Sequence, residues 1–157
     1  MNAIEFCILN LKETRRLSIK LWRSLPDSLL SWKPDNEAMS FEEMIRHVWS
    51  ASFHYRMLLK NNGLIKTEIH TPYDEVPITS VEKEIELSQP YFSDFTEYVE
   101  YISTEELESR LIDRSNVGYQ RYLDDMLLRI AYHDVVHTGQ FLQYLQMVEL
   151  ESPLIWD

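Results

Sequence analysis

The sequence predicts an all-α fold, a four-helix bundle formed as a single domain over residues 1–157. Three observations carry that expectation. Four long segments space their apolar residues by three and four, the period of a helix face. Pro, Gly or clustered polar residues mark the breaks between them. Gly is scarce, at 3 residues, too few for the many tight turns of a barrel or sandwich.

The first helix spans about residues 2–24. Ile4, Ile8 and Leu11 make one stripe, and Leu17, Leu21 and Leu25 continue it on a shifted face. Pro26 and Pro34 bracket a loop that holds Trp32.

The second helix has a start signal. Ser40-Phe41-Glu42-Glu43 is a capping box, in which the Ser hydroxyl accepts from the Glu43 backbone and the Glu43 carboxylate reaches back. Met44, Val48, Ala51, Tyr55 and Leu58 form its stripe, and Asn61-Asn62-Gly63 stops it. A polar stretch with Pro72 and Pro77 reads as a long loop.

The third helix covers about residues 79–101. Ile78, Val81, Ile85, Ser88, Phe92, Phe95, Val99 and Ile102 form a packing seam. Pro90 lies off that seam, where a kink is expected. Ser103-Thr104-Glu105-Glu106 caps a short extra turn, and Asn116-Val117-Gly118 falls in a second long loop. The fourth helix takes about residues 120–149, with the stripe Tyr122, Met126, Ile130, His133, His137, Phe141, Tyr144, Val148. Helices of this length suit a bundle.

Composition narrows the function. Lys plus Arg number 15 against 26 Asp plus Glu, a net charge of −11. No Lys/Arg-rich run is present, so neither nucleic acid nor an anionic membrane surface is an expected partner. A lone Cys7 excludes an intrachain disulfide. The start MNAIEFCILNLKETRR reads as no signal peptide, and no apolar stretch reaches the length of a membrane span. The expected location is the cytoplasm.

Five histidines are present, at 47, 54, 70, 133 and 137. His133 and His137 lie one turn apart on one helix face, a spacing that lets two imidazoles hold one metal ion. Paired core histidines bonded to neighbours would show the same pattern. His47 flanks the stripe of the second helix, and a bundle can bring that helix beside the fourth. Three histidines from two helices leave a coordination position open, as catalytic zinc sites do. His54 is two turns from His47, about 10 Å along the axis, and reads as a core or pocket residue. His70 reads as a solvated loop residue.

The stretch His133-Asp134-Val135-Val136-His137 invites comparison with the zinc-protease pattern H-E-x-x-H. Asp134 is one methylene shorter than that Glu. Its alternatives are a helix-surface residue or a partner that orients an imidazole. Thr14 and Ser18 interrupt an apolar face at about the height of His47 and could line a pocket. Cys7 reads as a core residue, with a nucleophile the alternative. Gln140 and Tyr144 could bond a ligand or fill the bundle end.

His47 in a capped second helix, followed by His133-x-x-x-His137-Thr138-Gly139-Gln140 in the fourth, resembles the DinB/YfiT-like superfamily. The phrases LPDSLLSWKPDNEAMSFEEMIRHVWSA, HDVVHTGQFLQYLQ and SPLIWD carry the likeness, which covers nearly the whole chain. The resemblance implies an up-down-down-up bundle and a divalent metal held by His47, His133 and His137. Some members are thiol S-transferases or thiol-dependent isomerases that use bacillithiol, mycothiol or glutathione. Members often carry Arg where this chain has Thr138, so no role is transferred to that side chain.

Imidazole suits Zn, Ni, Cu and Fe alike; Zn is the expected ion, with Ni or Fe the alternatives. The reading that follows is a metal-dependent enzyme, with a thiol S-transferase as the reaction class the resemblance implies. A metal-dependent hydrolase and a non-enzymatic, metal-stabilised binding or dimerisation module are the alternatives. Expected partners are a small-molecule thiol with its electrophilic substrate, and a second copy of the chain as a homodimer.

Overall fold

The structure is a computed structural model and describes residues 1–65 and 71–156. Four long helices dominate: α1 (Ala3–Trp22), α2 (Phe41–Lys60), α3 (Val81–Glu100) and, after the short α4 (Thr104–Ser109) and the strands β1 (Leu111–Arg114) and β2 (Tyr119–Tyr122), α5 (Leu123–Met147). α1 packs against α5 and α3, and α2 against α3 and α5. No described helix is long and apolar enough to cross a membrane.

The caps form as the sequence predicts. In α2 the Glu43 backbone N–H donates to Ser40 Oγ at 3.3 Å, and the Ser40 N–H donates to Glu43 Oε2 at 2.7 Å. Those bonds hold the Glu43 carboxyl below its ordinary pKa. The same device starts α4 at Ser103 and α1 at Asn2. At the other end of α2, Asn62 and Gly63 have φ of 52° and 93°, the left-handed stop of a helix.

Two expectations are corrected. The chain is mostly helical but carries a small sheet as well, in which β1 and β2 pair antiparallel, Leu111 opposite Tyr122 and Arg114 opposite Tyr119. The region after the third helix is therefore not a long loop. Gly118, at φ 92°, makes the turn between the strands. Ile112 is fully buried, and the Asp113 N–H donates to Asn62 O at 2.9 Å, pinning the hairpin to the end of α2. α5 accordingly begins at Leu123, and Tyr122 lies in the strand, exposed. α3 runs unbroken through the exposed Pro90.

The apolar core forms two clusters. Leu21, Trp22, Phe41, Trp49, Ile85 and Phe141 belong to one, and Leu11, Leu58, Phe95, Val99, Met126 and Ile130 to the other. Each large side chain buried this way contributes about 1.5–3 kcal/mol. Between the clusters every long helix places a buried polar residue: Arg15 and Ser18 on α1, Ser52 on α2, Ser88 on α3, Asp134 on α5. The buried face of α1 thus passes through Thr14, Arg15 and Ser18, and Leu17 stays half-buried beside it.

A second polar anchor ties α2 to α3. Glu84 is fully buried; it accepts two bonds from Arg46, at 2.6 and 3.0 Å, and one from Trp49 Nε1 at 2.8 Å. Arg46 also donates to Val76 O at 2.5 Å, fastening the segment before α3 onto α2. A buried carboxylate is tolerated only when satisfied this fully.

Candidate metal centre

The pairing of α2 with α5 brings three histidines together. His47 comes from the first half of α2, and His133 and His137 from successive turns of α5. One ring nitrogen from each lies within 4.8 Å of the others, so the three could hold a metal ion. His47 Nε2 and His133 Nε2 are 3.0 Å apart. Two imidazoles bound to one ion at about 2.0–2.1 Å, at an octahedral or tetrahedral angle, place their nitrogens roughly 3 Å apart. The donor set and its spacing fit a divalent cation. Among the described residues, no fourth His, Cys, Asp or Glu joins the cluster.

The surroundings prepare these rings. Loss of water and the neighbouring His133 and His137 rings push the His47 pKa down to about 4. Loss of water and His133 lower that of His137 as well. Both rings are therefore neutral at pH 7, the state that offers a lone pair. The nitrogens that face away have partners of their own. His137 Nδ1 donates to Gln140 Oε1 at 2.6 Å, which leaves Nε2 as its acceptor. His133 Nδ1 faces Asp134 Oδ1 at 3.4 Å. A carboxylate or carbonyl behind a ligand imidazole fixes the ring and raises its basicity.

Asp134 points into the protein, where Oδ2 lies 3.5 Å from Arg15 Nη2. Of its sequence readings, the orienting partner is the one this geometry matches. A carboxylate held between His133 and Arg15 is a poor general base, which counts against the zinc-protease comparison. The sequence alone does not assign these roles to Arg15 and Gln140. Their signals are present, a cation on a buried helix face and an amide three residues after His137, but neither is specific.

Other candidates fall elsewhere. His54 is exposed and outside the cluster; its Nδ1 contacts Ser50 O at 3.1 Å, and it lines a groove of about 400 Å³ together with His47, Arg46 and Tyr73. It is a pocket residue and not a core one. His70 lies outside the described residues. Thr14 and Ser18 are buried and bond back to their own helix, at Leu11 O and Thr14 O, and Ser18 meets Thr138 across the α1–α5 contact. They line the interior and not the centre. Cys7 packs on the apolar cluster, and burial pushes its thiol pKa up, the wrong direction for a nucleophile. Tyr144 packs edge-on against Trp32 and Phe41, filling the end of the core.

No curated protein matches the chain. A DinB-like protein of Bacillus subtilis matches in fold with a TM-score of 0.72 and 17% identity, covering 95% of this chain and 96% of that one. A DinB-like protein of Bacillus cereus matches with a TM-score of 0.64 and 22% identity, covering 92% and 91%. The family model of the DinB superfamily matches residues 10–141, a span that takes in all three histidines of the centre. The chain belongs to the DinB superfamily.

Proposed function

We propose that the chain is a metal-dependent enzyme that transfers a small-molecule thiol to an electrophile at the centre formed by His47, His133 and His137. The observation that supports this most is the three-imidazole cluster, with no fourth protein ligand among the described residues and a groove beside it. A divalent cation held by these three histidines, zinc by preference, would lower the pKa of a thiol or water bound to it. The protein's part is positional. His47, His133 and His137 supply neutral nitrogens; Gln140 and Asp134 fix two of the rings. Tyr55 stands edge-on to His133 and covers one side of it, its pKa raised to about 12 by burial, so its hydroxyl stays protonated. The groove beside His47 gives the substrate a place within reach of the centre. The packing of α1 on α5 and α3, and of α2 on α3 and α5, supports a bundle of four helices, for which the family resemblance implies the up-down-down-up order.

Thiol transfer is favoured over hydrolysis by the family resemblance. That no fourth protein ligand joins the three histidines among the described residues counts against a purely structural metal, which is enclosed by four ligands. The test is a zinc-loaded chain assayed with a low-molecular-weight thiol and an electrophilic acceptor, and separately with an ester panel. Thiol consumption that needs both metal and His137 supports the proposal. Ester hydrolysis without thiol dependence would replace it with the hydrolase reading.

A further inference from the structure

The chain carries a net charge of −11, yet one helix face is basic. Lys12, Arg15, Arg16 and Lys20 of α1, and Arg23 that caps its C-terminal end, follow at spacings that turn them to one side of the helix. With Phe92 of α3 they line a groove of about 430 Å³ between α1 and α3. These five are a third of the 15 Lys and Arg in the chain, and no acidic side chain lines the groove. Charge this concentrated in a concave site raises the local potential toward anions.

Four of the five sit toward solvent; Arg23 bonds Glu82 at 2.7 and 3.1 Å, and Arg16 bonds Glu13 at 3.0 Å. Arg15 differs. It is only 4% exposed, with its guanidinium 5.0 Å from the Phe92 ring and 5.7 Å from the Trp22 ring. Nη2 meets Ser52 Oγ at 3.1 Å and the Asp134 carboxylate at 3.5 Å. Nε and Nη1 are buried with no hydrogen-bond partner. Unmet donors on a buried charge are costly, and an anion seated over them would relieve that cost.

We propose that the α1–α3 groove binds a small organic anion, a phosphate or carboxylate carried on an apolar body. The oxyanion would lie over Arg15, with Lys12 and Lys20 at the rim and the apolar part against Phe92 and Ile19. The volume is that of a small-molecule site. A duplex phosphate backbone cannot reach a guanidinium buried at the floor of a groove, so the ligand is small. The site is separate from the metal centre, since none of its three histidines lines this groove.

The test is calorimetric titration of phenyl phosphate and of phenylacetate into the full chain, metal-loaded and chelator-treated. Saturable binding is expected, the same with and without metal, and unchanged in His47→Ala. In the double variant Lys12→Glu/Lys20→Glu, at the rim, affinity should fall by about tenfold or more. Arg15→Lys should weaken it too; if that variant does not fold, the rim variant carries the test. Saturation by phenyl phosphate alone would support the site and fix its class as phosphate. The proposal is overturned by failure of both probes to saturate, by unchanged affinity in the rim variant, or by binding that vanishes with chelator. Displacement of phenyl phosphate by an equal phosphate concentration of duplex DNA would also overturn it.

Discussion

Asp134 Oδ2 lies 3.5 Å from Arg15 Nη2, and both side chains are less than a tenth exposed. The same carboxylate turns its other oxygen toward His133 Nδ1. One buried acid therefore serves two purposes. It balances a cation that burial alone would penalise, and it stands behind a candidate metal ligand.

Removing that acid should show in two measurements. Asp134→Ala leaves Arg15 buried without its counter-charge, which costs about 3–5 kcal/mol. Denaturant unfolding of the metal-free chain should show most of that loss. Zinc affinity, read by competition with a chromophoric chelator, should fall by about 10–100-fold.

Gln140 offers a cleaner view of the same effect, because its side chain is exposed. Gln140→Ala removes the acceptor behind His137 Nδ1 and frees the ring to turn. Zinc affinity should fall by roughly tenfold. Stability of the metal-free chain should change by less than about 0.5 kcal/mol. A large stability loss with unchanged affinity would contradict the assigned role.

Acid sensitivity follows from the depressed histidines. His47 titrates at about 4 in the folded chain, against 6.5 ordinarily, and His137 is lowered in the same direction. As pH falls below 6.5 the unfolded chain takes up protons first. The stability these rings contribute is full above about pH 6.5 and is lost as pH falls toward about 4. Protons also compete with metal for the same nitrogens, so metal release is expected below about pH 6. Melting temperatures of the chelated chain should drop between pH 7.5 and 5, and His47→Gln should shrink that drop.

Gly63 tests how the hairpin is seated. Its φ of 93° disfavours any side chain, and a Cβ there would stand 2.1 Å from Asp113 O. Gly63→Ala should cost about 2 kcal/mol or more, since the backbone of β1 must move. A thermal melt of the variant checks this.

Much of this could be read from the residues. Ser40 and Glu43 announce α2 because a capping box is local chemistry, and the seam from Val81 to Ile102 is strictly periodic. His133 and His137 stand out by spacing alone. The hairpin could not be read, because four residues per strand with one buried side chain, Ile112, leave almost no alternation to detect. The leucines of α1 point to Leu17, which is only half-buried, and carry no sign that Arg15 is buried. Its burial depends on polar partners from α2 and α5 that lie far off in sequence. The basic face of α1 is hidden in the sequence for a related reason: its cations form no run, and only the helical turn gathers them.

The most direct test of the account is metal content. The native chain and its variants would be loaded with zinc, desalted and analysed by elemental analysis. About one zinc is expected per native chain and per His54→Ala chain, and little in His47→Ala, His133→Ala or His137→Ala. An unchanged zinc content in His47→Ala, or none in the native chain, would contradict the three-histidine centre.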